Sequence, residues 1–314
     1  MQAVMSSSRR PELFQLGQFL VLRTERNTTP LFGAGRIDAI PEAAIEAVAQ
    51  EQAASREFPE VRGRVCRLKD GRIGRFGWKG QIASLEDFVL TACAIELGLE
   101  VPNHPQARSP LAPEQAPRGL DLTAPECAAL VAFVASLPSP VERAPSGPQE
   151  VARIEAGRAS FERIGCAACH RPTMAGVKGL YSDLLLHQMG PALADSGSYG
   201  VDLPDSPEDA PTASSPAIAR ARAGDRNAIL GATRQEWRTP PLWGLRDSGP
   251  YLHDGRAATL EQAIALHGGE GALSAERFFA LPPEERSQLL SFLKSLVAPA
   301  AGGRPGPSAA GSGE

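Results

Sequence analysis

The chain has 314 residues, 32 basic and 36 acidic, for a formal net charge of −4. That near balance excludes a broadly basic nucleic-acid surface, an apolar fraction of 42% excludes a wholly disordered chain, and no uninterrupted apolar run is long enough for a membrane-spanning helix. Aromatic residues make up only 5% while glycine (31) and proline (28) are plentiful, so short helices and long connections are expected.

Residues 1–25 place Arg9-Arg10 ahead of an apolar stretch. A twin-arginine export signal is the first reading, but Glu12, Gln15 and Gln18 interrupt the stretch and no small-residue cleavage site follows. Leu13, Leu16, Phe19, Leu20 and Leu22 fall on a rough 3.6-residue face and predict a helix instead. Helical patterns recur at 122–137, 151–164, 259–267 and 283–297. The segment 137–150 carries four prolines and reads as a linker, 195–216 as a polar loop, and 298–314, rich in Ala, Gly, Pro and Ser, as a disordered tail. With no long alternating strand pairs, the expected class is mainly α, divided into 1–138, a linker at 139–150, 151–297 and the tail at 298–314.

An internal repeat supports that division. Residues 122–137 (LTAPECAALVAFVASL) align with 281–296 (LPPEERSQLLSFLKSL), with identities at Leu122/Leu281, Glu126/Glu285, Leu130/Leu289, Phe133/Phe292, Ser136/Ser295 and Leu137/Leu296. The apolar identities sit at helical spacing, so each copy predicts an amphipathic helix closing a lobe. Residues 28–33 (TTPLFG) match 239–244 (TPPLWG) more weakly. Two related lobes account for both matches.

The chemistry lies in Cys166-Ala167-Ala168-Cys169-His170. Two thiols at this spacing add across the vinyl groups of one haem, and the adjacent histidine supplies an axial nitrogen. A thioredoxin-type redox pair would follow a strand in a βαβ setting, and none is visible. A zinc site needs further paired ligands, whereas Cys66, Cys93 and Cys127 are isolated. The residues alone leave the sixth iron ligand open among His187, Met189, His253, His267 and Met174. Thr259-Leu260-Glu261-Gln262 has the form of a capping box, which places His267 in the last turn of a short helix ended by Gly268-Gly269.

The stretches 26–45 (RNTTPLFGAGRIDAIPEAAI), 71–80 (GRIGRFGWKG), 181–195 (YSDLLLHQMGPALAD) and 237–270, in this order around CAACH, resemble the di-haem oxidoreductases described as thiol oxidoreductases, relatives of the di-haem cytochrome c peroxidases. The resemblance implies two cytochrome c-like lobes, each with a haem c. It implies Cys166 and Cys169 as the covalent attachment, His170 as the proximal iron ligand and His267, one helix beyond His253-Asp254-Gly255, as the distal ligand, with Met189 as the alternative. It places Tyr251, His253 and His187 along the haem pocket. It also implies electron transfer with a small redox protein or another donor or acceptor, and a periplasmic or other extracytoplasmic site, although no signal peptide is visible. A second CxxCH is missing. Cys166 precedes Thr239 by 73 residues, and the same interval back from Thr28 falls about 45 residues before Met1. The first lobe is therefore expected to be incomplete, through a truncated N-terminus, with a second haem in the complete protein. The expected function is a peroxidase-like haem oxidoreductase, and the alternative is a single-haem electron carrier with no turnover of its own. Trp78 is expected either as a core indole or as an electron conduit between lobes, and His104 as a surface-loop histidine.

Overall fold

A computed structural model describes residues 12–23, 25–109, 111–195, 197–198, 201–202 and 230–299. Among them are eight α-helices: α1 Ala34–Asp38, α2 Glu42–Ala54, α3 Leu85–Ile95, α4 Ala124–Ser136, α5 Pro148–Arg163, α6 Leu260–Ala265, α7 Ala272–Ala280 and α8 Pro283–Ser295. The helices expected at 122–137, 151–164, 259–267 and 283–297 are present, each with slightly different ends. Their starts follow from side chains that take up free backbone N–H groups. Ser84 Oγ accepts from Asp87 N (3.1 Å) ahead of α3, and Thr259 Oγ1 accepts from Gln262 N (3.2 Å) ahead of α6. The Gln262 side chain accepts in turn from Ala258 N, one residue earlier than a standard capping box.

Strands among the described residues form six two-stranded sheets. One of them overturns a helix expectation. Glu12–Leu16 and Phe19–Arg23 form an antiparallel hairpin with Leu16 opposite Phe19. Gly17, at φ 58°, turns the chain there. In a segment this short and this apolar the two periodicities overlap, and a mid-segment glycine favours the turn. The Pro-rich 137–150 stretch is also more ordered than a free linker. Val141–Glu142 pair with Leu296–Val297, and α5 already begins at Pro148. Arg9-Arg10, nearly all of 195–216 and most of the tail lie outside the described residues.

The buried apolar side chains gather in two main clusters. The first takes Ile37, Ile45, Val48, Leu85, Val89 and Val134 from α1–α4, together with Met174, Leu180, Leu184, Leu185 and Trp243 from beyond the linker. The second joins Ile154 and Phe161 of α5 to Leu260, Phe278, Leu289, Phe292 and Leu293 of α6–α8.

The sequence repeat has a counterpart in backbone contacts. An antiparallel bridge Phe76–Ile82 leads into the Ser84 cap of α3, and an equally spaced bridge Tyr251–Ala257 leads into the Thr259 cap of α6. Asn27 N donates to His253 O (2.7 Å), and Arg238 N donates to Trp78 O (3.0 Å). The Thr28–Thr239 match pairs Asn27 with Arg238 and the bridge-and-cap match pairs Trp78 with His253, so these are the same bond made in the two directions. Gly33 packs on the Trp243 ring and its counterpart Gly244 on the Phe32 ring, both at positive φ and too close for a Cβ. One pair breaks the correspondence. Phe292 is fully buried, with its ring 5.3 Å from Phe161 of α5, whereas its counterpart Phe133 on α4 is 61% exposed.

Candidate functional site

α5 ends at Arg163 with Ile164 as its cap, and Gly165 (φ 94°) reverses the chain into a 3-10 turn over Cys166–Ala168. A Cβ at Gly165 would lie 2.7 Å from the Phe58 ring and 3.0 Å from Ser274 Oγ. The turn presents Cys166, Cys169 and His170 to a cavity of about 250 Å³. His187, Met189, Tyr251, His253 and His267 line the same cavity. Met174 does not; it is buried in the first apolar cluster. His104 lies elsewhere, 3.5 Å from Asp87.

His170 and His267 have ring centroids 6.5 Å apart and ring planes tilted by 57°. Each has its Nδ1 occupied by a backbone carbonyl, Tyr181 O at 3.0 Å and Ala263 O at 2.8 Å. A carbonyl only accepts, so both Nδ1 atoms carry the proton and both Nε2 lone pairs are free. Burial, reinforced by His267, pushes the His170 imidazole down to about 4, and burial also lowers His267, so both rings are neutral and able to ligate. With a metal–imidazole bond of about 2.0 Å and a ring centre roughly 1.2 Å behind the nitrogen, two imidazoles on one metal have centres about 6.4 Å apart. The observed spacing fits an iron held between them. Both thiols are protonated in this dry setting, since burial pushes Cys166 up to about 12 and raises Cys169.

Behind Cys169 lies a buried charge cluster that the sequence did not announce. His187 Nε2 is 2.8 Å from Asp183 Oδ2, and its Nδ1 is 2.8 Å from Glu270 Oε2 and 3.7 Å from Cys169 Sγ. Burial alone would depress His187, but the Asp183 carboxylate, by its charge and its hydrogen bond, outweighs it and holds the ring above 6.5. His187 is thus a buried imidazolium with both nitrogens engaged, and it lines the cavity without a free ligating atom. Gln52 of α2 ties this cluster to the 166–170 turn, donating to Asp183 Oδ2 (2.7 Å) and Ala168 O (2.8 Å).

A second group of aromatic residues closes another part of the cavity. His253 stacks on Trp237 (3.8 Å, 19°), and Trp78 meets both rings edge-on at 6.4 and 6.5 Å. Lys79 Nζ sits 3.5 Å from the Trp237 ring centre and donates to the carbonyls of Thr233, Arg234 and Glu236. Two groups this close to one ring centre must occupy its opposite faces. Trp78, half-buried and donating from Nε1 to Asn27 O (2.8 Å), is part of the cavity wall. His253 Nε2 has no hydrogen-bond partner among the described residues, with Asp195 Oδ2 at 3.5 Å. Burial, with Arg26, Arg256 and Lys79 adding to it, drives His253 down to about 2.

The profile of the family described as "Di-haem oxidoreductase, putative peroxidase" matches residues 3–202 and 221–296. The chain belongs to this di-haem oxidoreductase family. Family membership implies a haem cofactor, and the two neutral imidazoles beside a CxxC turn suit one. Among characterised proteins, methylamine utilization protein MauG of Methylorubrum extorquens is 29% identical over 141 residues, a match covering 43% of this chain and only 32% of MauG. Solved structures with weaker likeness include a MauG-like protein associated with microbial copper homeostasis (17% identity, 91% of this chain and 95% of the other, TM-score 0.40) and the dihaem peroxidase BthA of Burkholderia thailandensis (14% identity, 88% and 92%, TM-score 0.33). No helix among the described residues of this di-haem oxidoreductase is long and apolar enough to cross a membrane.

Sequence reasoning missed Asp183, Glu270, Gln52, Lys79, Trp237 and Arg238. None belongs to a spaced motif, and each acquires its role from partners far away in the chain, as Gln52 does from Asp183. Lone buried polar residues leave no periodic signal.

Proposed function

We propose that the cavity seats one haem c, with Cys166 and Cys169 joined to its vinyl carbons, His170 Nε2 as proximal ligand and His267 Nε2 as distal ligand. The observation that carries this is the pair of neutral imidazoles 6.5 Å apart, each pinned through Nδ1. A haem bound here supplies a reversible one-electron site. The chain's own residues do the rest. The Tyr181 and Ala263 carbonyls fix both ligand rings, the apolar lining excludes water and favours the less charged iron state, and the Trp78–Trp237–His253 group forms a polarisable wall beside the pocket. In this reading the protein is an oxidoreductase that exchanges electrons with a small redox protein or another donor or acceptor, in the extracytoplasmic compartment where haem c is attached. We further propose the two-lobe organisation with a connection at 139–150, the first lobe lacking an attachment motif in this sequence. The reciprocal Asn27–His253 and Arg238–Trp78 bonds support it.

A single-haem carrier is the second reading. It is favoured by the same imidazole pair, because two ligands from the chain leave no open iron position for a substrate. Protein produced with c-type maturation is expected to carry one covalent haem with a low-spin spectrum. Replacing both Cys166 and Cys169 by Ala should leave only extractable haem or none, and H267A should turn the iron high-spin or open it to added ligands. Retained covalent haem in the double variant refutes the attachment. An unchanged spectrum in H267A transfers the distal position to Met189. Peroxide turnover by the wild type separates the enzyme from the carrier.

A further inference from the structure

Among the described residues, Arg238 is a buried guanidinium without an ion-pair partner. It is 4% exposed and lines both the main cavity and a smaller one of about 50 Å³ beside it. Its Nε donates to Gly77 O (2.8 Å) and its Nη1 to Thr239 O (3.1 Å), both neutral acceptors, while Nη2 donates to no described residue and the side chain makes no ion pair. Asp183, the carboxylate with the greatest pull on it, is already held by His187 and Gln52. Next to it the cavity wall carries Trp78 and His253, whose Nε2 also lacks a hydrogen-bond partner among the described residues. Burying a guanidinium with no anion is costly. Its planar fork is shaped to hold a carboxylate by two parallel N–H···O bonds.

We infer that Arg238 is the docking point for a carboxylate of the cofactor, its free edge pairing with one porphyrin carboxylate at the wall shared by the two cavities. This rests on the haem reading above. A porphyrin tethered through its vinyl groups at Cys166 and Cys169 carries its carboxylates on the far edge, where a cation and uncommitted polar atoms are required. Arg238 is therefore a binding residue for the cofactor periphery, separate from the iron ligands, and its fixed charge next to the macrocycle raises the reduction potential by opposing the positive ferric state.

The test uses the haem-loaded wild type, R238M and R238K. Both variants are expected to retain covalent haem and low-spin iron, since neither cysteine nor imidazole is touched. R238M is expected to lower the midpoint potential and to shift the porphyrin-carboxylate bands in resonance Raman and redox-difference infrared spectra, with R238K falling between R238M and wild type. An R238M holoprotein with wild-type potential and unmoved carboxylate bands overturns the inference. If R238M does not fold, R238K alone decides, because a monodentate ammonium must still perturb a carboxylate that was held by a fork; wild-type bands in R238K overturn the inference equally. Wild-type protein without covalent haem would instead defeat the haem reading, and so the two failures are distinguishable.

Discussion

Replacing His187 by Gln tests whether the 166–170 turn is held by buried charge. In the wild type the imidazolium bridges Asp183 and Glu270 at 2.8 Å each, with side-chain exposures of 3%, 0% and 9%. Glutamine has similar reach but no charge, so two buried carboxylates lose their cation. Removing one partner of a buried pair costs about 3–5 kcal/mol. Here the lower end applies, about 3 kcal/mol, because each carboxylate keeps other donors: Gln52 Nε2 and Leu185 N for Asp183, Arg62 N and Gln188 N for Glu270. The pH range follows from the direction of each shift. His187 is raised, so its contribution is complete below about 6.5 and fades as pH rises through its folded value; Asp183 and Glu270 are lowered, so theirs is complete above about 4.3 and fades as pH falls through their folded values. Urea unfolding of the haem-loaded protein at pH 6 should therefore show the full loss. It should shrink toward pH 4 as the orphaned carboxylates of the variant protonate. A loss below about 1 kcal/mol at pH 6, or one that does not change with pH, refutes the claim that charge holds this turn.

Other residues give sharper local expectations. Gly165→Ala combines a left-handed backbone with a Cβ 2.7 Å from Phe58; about 1–2 kcal/mol of backbone strain plus about 1–3 kcal/mol of overpacking should appear as a lowered Tm and poor covalent haem yield, and stability within about 0.5 kcal/mol of wild type would contradict the geometry. Arg64 and Glu236 form a bidentate ion pair at 2.7 and 2.5 Å, each 1% exposed. Arg64→Met alone should cost about 3–5 kcal/mol in thermal unfolding, while adding Glu236→Met should restore most of it; additive losses would refute the pairing. His253, depressed to about 2, makes folding progressively less favourable as pH falls below about 6.5. His253→Gln should remove about 1.4 kcal/mol per pH unit from the acid slope of urea unfolding between pH 6 and 4, and an unchanged slope would show that His253 titrates normally.

Legibility followed from how local each signal was. CAACH is contiguous, and the cap of α6 is set by Thr259 and Gln262 three residues apart, so the motif and the position of His267 near the end of a short helix were readable. The 12–23 hairpin was misread because its apolar residues fit both periods and only Gly17 separates them. The charge cluster was unreadable for a different reason. His187 and Glu270 are 83 positions apart, and each looks like an ordinary surface residue until the fold removes its water. Arg238 lies inside a stretch that was recognised, but its lack of a partner is a three-dimensional fact.

On the proposed two-lobe reading, the repeat accounts for the proposed chemistry lying on one side. The bridge-and-cap unit before α3 and the one before α6 share the same spacing, so Trp78 occupies the place of His253, Asn27 that of Arg238 and Ala92 that of His267. A framework used twice fixes backbone positions in both copies, and the side chains then differ where chemistry is required. An imidazole stands at 267 where the first copy has a methyl group. A guanidinium stands at 238 where the first copy has an amide that only satisfies the Pro250 and Leu252 carbonyls. The exposure of Phe133 against the burial of Phe292 belongs to the same comparison: α8 has α5 against it, and among the described residues α4 has no equivalent helix on that face. Phe133→Ser should accordingly leave stability within about 0.5 kcal/mol of wild type, as for an exposed surface position, whereas Phe292→Ser should cost several kcal/mol. Equal losses at the two sites would show that the copies are packed alike and would remove the basis for treating the first as the uncovered one.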